Sequence, residues 1–277
     1  MEKQQSVHKP IFKEGEVLVL NTDNNTLPFR NIERFVDVQV TRFSPVDNTA
    51  GCFNFYLRQL KLAKTGQEIM QVDGDVDRHG RKIDYSKVKL VVIDTLTKLF
   101  EHMLVHYKLT NTASGSKDLR NAFGLFQSGV SDLWIGLNSF PIPVVLFSHF
   151  DELLDEQGLI DRRASIPGKA MSGKVEAEFT IVLAAVPDRY EQDISKRFRF
   201  QTSMLSGYTA KTPLEMYNND ELYVPNDLNS VLYRVYEYYE GKPGEYRIPN
   251  ILINGASGSG KSTSLRNLVE KAGQKNV

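Results

Sequence analysis

The sequence of 277 residues lacks several features that would place it in a specialised class. It contains a single cysteine, Cys52, so no internal disulfide can form, which favours a reducing compartment. No apolar run approaches the roughly 18 residues that a membrane span requires, and the N-terminal MEKQQSVHKP has no apolar segment typical of a secretory signal. Neither sign of charge is in excess, because 34 basic residues balance 34 acidic ones. We therefore expect a water-soluble, cytoplasmic protein that does not contact membranes and that binds nucleic acid only through a local patch or a multimer.

The composition that remains is that of a globular protein, with 41% hydrophobic and 25% charged residues. After a polar leader (1–14), short apolar runs predict strands at 17–20, 89–94, 143–148, 179–184 and 248–254, with an antiparallel edge strand at 196–202. Helical patterns occur at 52–64, 118–138, 228–239 and 263–272. Strands that alternate with helices predict one α/β domain spanning 1–277, with a mostly parallel central sheet flanked by helices.

The most specific motif lies near the end of the chain, directly after the strand predicted at 248–254. It satisfies the P-loop pattern G-x-x-x-x-G-K-[ST] without a mismatch and is followed by a predicted helix. The residues of the motif, with the threonine that follows it, are Gly255, Ala256, Ser257, Gly258, Ser259, Gly260, Lys261, Ser262 and Thr263. Glycines let backbone N–H groups surround phosphate oxygens, and the positive end of the helix dipole faces them. The motif predicts a nucleotide-triphosphate site, in which Lys261 reaches the β- and γ-phosphates and Ser262 ligates Mg²⁺.

A P-loop needs a second carboxylate near the Mg²⁺ ion, usually at the end of a neighbouring strand. Too few residues follow Thr263 for another strand, so the carboxylate must lie upstream in the sequence. Asp94, which ends the apolar run LVVID, is the best candidate for this metal ligand. Its alternative role is an N-cap for the helix that follows a buried strand.

Several segments together resemble the phage-encoded RecA-like ATPases that consist of the core domain alone. These segments are GASGSGKSTSLRNL, LNTDNNTLPF, KLVVIDTLTKLF, PVVLFSHFDE, IPGKAMSGKVEAEFTIVL, TAKTPLEMY and VPNDL. In that family the P-loop opens the chain, whereas here it comes last. Moving residues from about 245 to 277 ahead of residue 11 restores the family order, so the resemblance implies a circularly permuted RecA-like core with 240–246 as the joint.

The resemblance implies roles for three further residues. Asp23 matches the strand-end carboxylate that orients or deprotonates the attacking water, although an Asp-Asn-Asn run also favours a turn cap. His149 follows a predicted strand at the position of a γ-phosphate sensor, although a lone histidine is more often structural. Lys211 matches the cation that a neighbouring subunit supplies to the transferring phosphoryl group, with a solvated lysine as the alternative.

Two polar stretches, 107–118 and 151–174, correspond to the DNA-contacting loops of that family. Their basic residues can offset phosphate charge without reading base sequence. The candidate DNA-binding residues are Lys108, Lys117, Arg162, Arg163, Lys169 and Lys174. The alternative is a pair of solvated surface loops, and the acidic first half of 151–174 would repel DNA.

The resemblance therefore implies a Mg²⁺-dependent ATPase that acts on single-stranded DNA in phage recombination or annealing and self-associates through nucleotide-bridged interfaces. One alternative is a P-loop kinase of a small molecule, with 151–174 as a lid. Another is a nucleotide-gated binding module that does not hydrolyse ATP.

Overall fold

The computed structural model describes most of the chain. The described residues are 10–23, 35–39, 79–115, 118–154, 157–168, 174–188, 190–193, 196–244 and 248–271. The helix predicted at 52–64, Lys117, Lys169, the first nine residues of the leader and the last two of the 240–246 joint lie outside these ranges.

The described fold contains ten strands and four α-helices, with single 3₁₀ turns at Tyr85–Lys87 and Glu176–Glu178. The strands are β1 (Val17–Asn21), β2 (Val36–Gln39), β3 (Leu90–Asp94), β4 (Val144–Ser148), β5 (Phe150–Leu154), β6 (Ile160–Ala164), β7 (Ile181–Pro187), β8 (Phe198–Gln201), β9 (Tyr223–Pro225) and β10 (Ile251–Gly255). The helices are α1 (Leu96–Ala113), α2 (Leu119–Asn138), α3 (Leu228–Tyr238) and α4 (Lys261–Lys271).

Eight of these strands form the central sheet, in the order β2-β1-β3-β4-β10-β7-β8-β9. In this order, all neighbouring strands from β2 through β10 to β7 pair in parallel. The pairings of β7 with β8 and of β8 with β9 are antiparallel. Every residue of β1, β3, β4 and β10 is buried, as expected for central parallel strands covered on both faces. Because these four strands run in the same direction, the segments that follow them meet at one edge of the sheet. We call this the carboxyl edge.

Alternate residues of the strands enter two separate hydrophobic cores. One core contains Leu18 and Ile93 and lies under α1 and α2, where the ring of Phe100 meets the ring of Trp134 edge-on at 5.9 Å. The other core contains Val19 and lies under α3 and α4. The sheet is therefore a central layer between two layers of helices, the arrangement that its apolar strands require.

The α/β prediction is confirmed, and each strand predicted within the described residues is present. Five strands start one to three residues later than predicted, and the largest difference is at β10, which begins at Ile251. Helix α4 starts earlier, at Lys261, because the glycine-rich motif leads directly into it. The antiparallel strand predicted at 196–202 is present as β8, but its predicted position at the edge of the sheet is wrong, because β9 pairs along the outer side of β8.

Two further predictions need correction. The stretch 107–118 is not a loop over its first half, because α1 continues to Ala113. The polar composition of this stretch did not indicate a helix. One of its polar residues, Asn111, is 2% exposed and donates a hydrogen bond to the backbone carbonyl of Asp118. The leader is not polar throughout, because Phe12 is 2% exposed and packs edge-on against Tyr236 of α3.

Strands β5 and β6 form a separate two-stranded antiparallel hairpin within the predicted loop 151–174. The hairpin follows β4 directly, so its base lies at the carboxyl edge of the central sheet. None of the described helices combines the length and the apolarity needed to cross a bilayer.

Candidate nucleotide-binding site

The glycine-rich loop 255–262 connects the central strand β10 to α4. Gly258 and Gly260 have φ angles of 76° and 89°, in the left-handed region that favours glycine. A Cβ atom on Gly260 would lie 2.5 Å from Asn226 Nδ2 and 2.7 Å from the ring of Phe198. The loop therefore requires glycine at position 260 for both its backbone conformation and its close contacts. It turns sharply enough to place the N-terminus of the 11-residue helix α4 beside the end of β10.

Lys261 lies across the loop rather than in solvent. It is 5% exposed, and its Nζ donates to the carbonyls of Gly255 at 2.7 Å and Ala256 at 2.8 Å. Burial lowers the pKa of Lys261 to about 8, and the charges of Asp94 and Asp23 offset part of that effect. The loop thus holds a desolvated ammonium group that an anion such as a phosphate would stabilise.

Ser262 and Asp94 meet at the carboxyl edge, although 168 positions separate them in the sequence. Ser262 Oγ donates to Asp94 Oδ2 at 3.0 Å, and Asp94 is 5% exposed at the end of β3. Burial raises the pKa of Asp94 to about 6, and the nearby negative charge of Asp23 adds to the increase. Asp94 therefore carries a buried negative charge that a cation would stabilise.

The Ser262–Asp94 pair fits a magnesium ion. Mg²⁺ prefers oxygen ligands and is usually held by one or two carboxylates together with substrate phosphates and waters. The hydroxyl of Ser262 and the carboxylate of Asp94 supply such oxygens beside the glycine-rich loop. Among the residues that the structure describes, no three His, Cys, Asp or Glu side chains cluster as they would around a metal held by protein alone.

Asp23 follows β1 and lies next to Asp94, since Asn21 pairs with Asp94 in the sheet. Thr95 Oγ1 donates to Asp23 Oδ1 at 3.2 Å, and His149 Nε2 lies 3.8 Å from Asp23 Oδ2. Burial acts to raise the pKa of Asp23, but the nearby imidazole of His149, the hydrogen bond from Thr95 and the charge of Lys98 hold that pKa below its ordinary value. Asp23 is therefore ionised at neutral pH and available as a hydrogen-bond acceptor.

The structure brings most of the predicted catalytic residues together. Lys261, Ser262, Asp94, Asp23 and His149 all lie at the carboxyl edge, on segments that follow β10, β3, β1 and β4. The charge of Asp23 acts on the pKa of Asp94, and the charges of both act on the pKa of Lys261, which is consistent with this grouping.

Lys211 lies on the far side of β7 from the glycine-rich loop. Its backbone N–H and carbonyl both pair with Val182 at 2.8 Å, and its side chain is exposed. No contact joins it to the glycine-rich loop within the described part of the chain. A residue that acts on a neighbouring subunit has to be exposed in this way, so the role of Lys211 stays a prediction.

The candidate DNA-binding residues have mixed surroundings. Lys108 lies on α1 with its Nζ 5.5 Å from the centre of the Phe123 ring, and Lys174 is exposed. Arg162 of the hairpin binds Glu152 at 2.8 Å and the carbonyl of Ser206 at 3.0 Å, and Arg163 pairs with Asp161. Both hairpin arginines are thus neutralised by acidic residues of the same hairpin.

Sequence reasoning missed a buried polar contact between β10 and the base of the hairpin. Glu176 is 5% exposed, and its Oε1 accepts hydrogen bonds from the backbone N–H of Ala164 and from Asn254 Nδ2. Within the described residues, Glu176 Oε2 and Asn254 Oδ1 are buried without a hydrogen-bond partner. Only the position of Asn254, directly before the glycine-rich loop, could have drawn attention to this pair in the sequence.

Comparison with known proteins adds no relative. No family model matches this chain, and no curated protein or solved structure matches it at a significant level. A buried ammonium, an oxygen pair suited to Mg²⁺ and an ionised carboxylate surround the N-terminus of a helix, as a site for a polyphosphate requires.

Proposed function

We propose that this protein binds ATP with Mg²⁺ and hydrolyses it. The observation that carries the proposal is the convergence of Lys261, the Ser262–Asp94 contact at 3.0 Å and the Asp23–His149 pair at one edge of the sheet. Phosphoryl transfer depends on positioning and charge stabilisation, and these residue types supply both.

In the proposed reaction, the loop amides and the N-terminus of α4 hold the phosphate chain. Lys261 leaves the carbonyls of Gly255 and Ala256 and pairs with phosphate oxygens, so its charge stabilises the transferring group. Ser262 and Asp94 would hold Mg²⁺, which when bound would supply further charge neutralisation at the phosphates. Asp23 orients the attacking water and accepts its proton, and His149 donates a hydrogen bond to the γ-phosphate.

We further propose that the domain is a RecA-like core in circularly permuted order. The position of β10 supports this proposal, because this strand, the last in sequence among the described residues, lies between β4 and β7 at the centre of the sheet. Placing residues from about 245 onward ahead of residue 11 would make this strand the first in sequence without changing its neighbours. The N-terminal segment already contacts α3, where the N–H of Ile11 donates to Asn229.

Single-stranded DNA and a second copy of this chain are the proposed partners. Lys174 supports DNA contact because it is basic and exposed, whereas Arg162 and Arg163 are each paired with a carboxylate of the hairpin. The exposed Lys211 supports contact with a neighbouring subunit, to which it would supply the cation predicted from the sequence.

The deciding experiment measures ATP hydrolysis by purified protein with Mg²⁺, with and without single-stranded DNA. Lys261→Ala should reduce turnover at least about 100-fold because it removes a charge aimed at the transferring phosphoryl group. Arg266→Ala is the matched control, since Arg266 lies on the same helix in an exposed pair with Glu270 and should keep turnover. Equal turnover in the Lys261→Ala variant and the wild type would contradict the proposal. Binding of a fluorescent ATP analogue without hydrolysis would leave a nucleotide-gated module instead.

A further inference from the structure

The first turn of α1 contains a buried hydroxyl that the proposed reaction does not yet use. Thr97 is 5% exposed, and three groups surround its Oγ1. The backbone N–H of His149 donates to it at 3.0 Å, Ser148 Oγ lies 3.1 Å away, and the carbonyl of Ser165 lies 3.3 Å away. Since a hydroxyl has one proton and two lone pairs, Thr97 can accept from His149 and donate to one of the other two groups.

His149 needs this support because it lies just beyond the sheet. The pairing of β4 with β10 ends at Ser148, and the pairing with β3 ends at Phe147. The N–H of His149 therefore has no strand partner and is bound by Thr97 instead. The carbonyl of His149 accepts from the N–H of Ser165 at 2.8 Å. Both backbone polar groups of His149 are thus fixed.

The same helical turn also holds the partner of His149. Thr95 Oγ1 donates to Asp23, whose other carboxylate oxygen lies 3.8 Å from His149 Nε2. Two hydroxyls, two positions apart at the start of α1, therefore fix the two sides of the Asp23–His149 pair. Because Thr95, the N-cap of α1, directly follows Asp94, this arrangement lies beside the candidate metal ligand.

We propose that Thr97 is a positioning residue for His149. Its hydroxyl fixes the backbone at the end of β4, so that the imidazole faces Asp23. The role in turnover rests on the proposed ATP hydrolysis, whereas the effect on the orientation of the imidazole does not.

The kinetic test compares Thr97→Val, which keeps the shape and removes the hydroxyl, with Thr97→Ser, which keeps the hydroxyl. We expect Thr97→Val to lower kcat roughly tenfold with KM unchanged, and Thr97→Ser to stay within about twofold of the wild type. In a His149→Ala background, Thr97→Val should cost no further activity, because Thr97 acts through His149. Thr112→Val is the control, since the exposed hydroxyl of Thr112 bonds only to Lys108 of the same helix among the described contacts. Equal losses in the Val and Ser variants, or a full additional loss in the His149→Ala background, would overturn the proposal.

A second measurement separates this proposal from the proposed function. In nucleotide-free protein, the His149 imidazole C2–H resonance is assigned by its loss in His149→Ala, and its chemical shift is measured by NMR at one fixed pH. Asp23→Asn should change this chemical shift in the wild-type background and should change it less in Thr97→Val, because the ring no longer faces Asp23. An unchanged response overturns the role of Thr97 even if the wild type hydrolyses ATP. The expected response supports it even if the wild type does not.

A third measurement needs no variant of Thr97 and so does not depend on whether Thr97→Val folds. The backbone amide of His149 should exchange slowly with solvent in the wild type because Thr97 binds it. Exchange as fast as that of an exposed loop amide would contradict the geometry on which the proposal stands.

Discussion

The glycine-rich loop 255–262 and the β5–β6 hairpin lie at the same edge of the sheet but hold their charges in opposite ways. Around the loop, Lys261 and Asp94 are both about 5% exposed. Burial lowers the pKa of Lys261 and raises the pKa of Asp94, so that it favours the neutral form of each side chain. On the hairpin, Arg162 and Arg163 are each bound to a nearby carboxylate. The buried charges around the glycine-rich loop are only partly balanced by opposite charges, whereas each arginine of the hairpin already has a carboxylate partner.

This difference separates a site from a structural surface. Buried charges with shifted pKa values destabilise the free protein, and a bound ligand of opposite charge restores the lost stability. Such groups therefore mark functional sites. Charges that already have partners recover little from a ligand, because binding would first have to break the existing pair. The net charge of a loop, read from the sequence, is therefore a weaker indication of ligand binding than the presence or absence of oppositely charged partners in the folded protein.

Among the substitutions that test this difference between the two regions, Asp94→Asn is expected to have the largest effect on turnover and stability. Turnover should fall at least about 100-fold, because the variant loses the charge proposed to hold Mg²⁺. The nucleotide-free protein should nevertheless become more stable at pH 7.5, by roughly 1 to 3 kcal/mol, because the buried charge is removed. The loss of attraction to Lys261 offsets part of this gain. Urea unfolding at several pH values measures the change.

The pH dependence of that gain has a definite sign. Burial raises the pKa of Asp94 to about 6 in the folded protein, against an ordinary value of 3.8. The folded protein thus binds the proton more tightly, and its stability falls as pH rises through this range. The advantage of Asp94→Asn should be full above pH 6 and should fade as the pH falls toward 3.8. A constant difference at all pH values would show that the charge of Asp94 is not the cause.

The two regions also differ in how well the sequence predicted them. The glycine-rich loop is a local motif, so its strand, turn and helix follow from contiguous residues such as Gly260 and Lys261. Asp94 and Asp23 could be placed because each directly follows an apolar strand, and parallel strands bring their ends to one edge. Thr97 and Glu176 escaped notice because their importance depends on partners such as His149 and Asn254, far away in the sequence.

The hairpin failed as a prediction for a related reason. Composition gave 151–174 as a polar loop, but cross-strand pairing of residues ten positions apart joins Glu152 to Arg162. Likewise, the polar composition of 107–113 predicted a loop, but these residues continue α1, whose apolar residues pack into the core. Charge and polarity indicate exposure in the sequence, but they do not indicate which side chains will pair.

An intermediate effect is expected at Glu176, which links the two regions through Ala164 and Asn254. Glu176→Ala leaves the N–H of Ala164 and the amide of Asn254 without their acceptor, and should cost about 2 to 3 kcal/mol of unfolding free energy. Glu176→Gln keeps one acceptor, removes the buried charge and replaces the unsatisfied Oε2 with a donor. It should therefore lie within about 1 kcal/mol of the wild type or be more stable.

Urea unfolding of the two Glu176 variants at one pH gives the comparison. If Glu176→Gln is as unstable as Glu176→Ala, the charge of Glu176 is needed and an undetected cationic partner must lie beside it. If both variants match the wild type, the contact between β10 and the hairpin carries no stability.

The smallest effects are expected on the hairpin, where the two arginines provide a matched pair. Arg162 has a side chain 17% exposed, and its guanidinium lies 4.5 Å from the centre of the Tyr208 ring in addition to its polar contacts. Arg162→Ala should therefore cost about 1 to 2 kcal/mol. Arg163→Ala should lower the free energy of unfolding by less than about 0.5 kcal/mol, because the Arg163 side chain is 42% exposed and pairs only with Asp161 among the described contacts.

The same two variants, with Lys174→Ala, test whether the hairpin arginines contact DNA. Each phosphate contact to a single strand contributes about 0.7 to the slope of log K against log salt concentration. Lys174→Ala should reduce the slope by about that amount, because Lys174 is exposed. Arg162→Ala should leave the slope unchanged, since Glu152 and Ser206 already occupy its guanidinium. A reduction for Arg162→Ala equal to that for Lys174→Ala would mean that DNA displaces Glu152, and the hairpin would then belong with the glycine-rich loop as a region whose charges await a ligand.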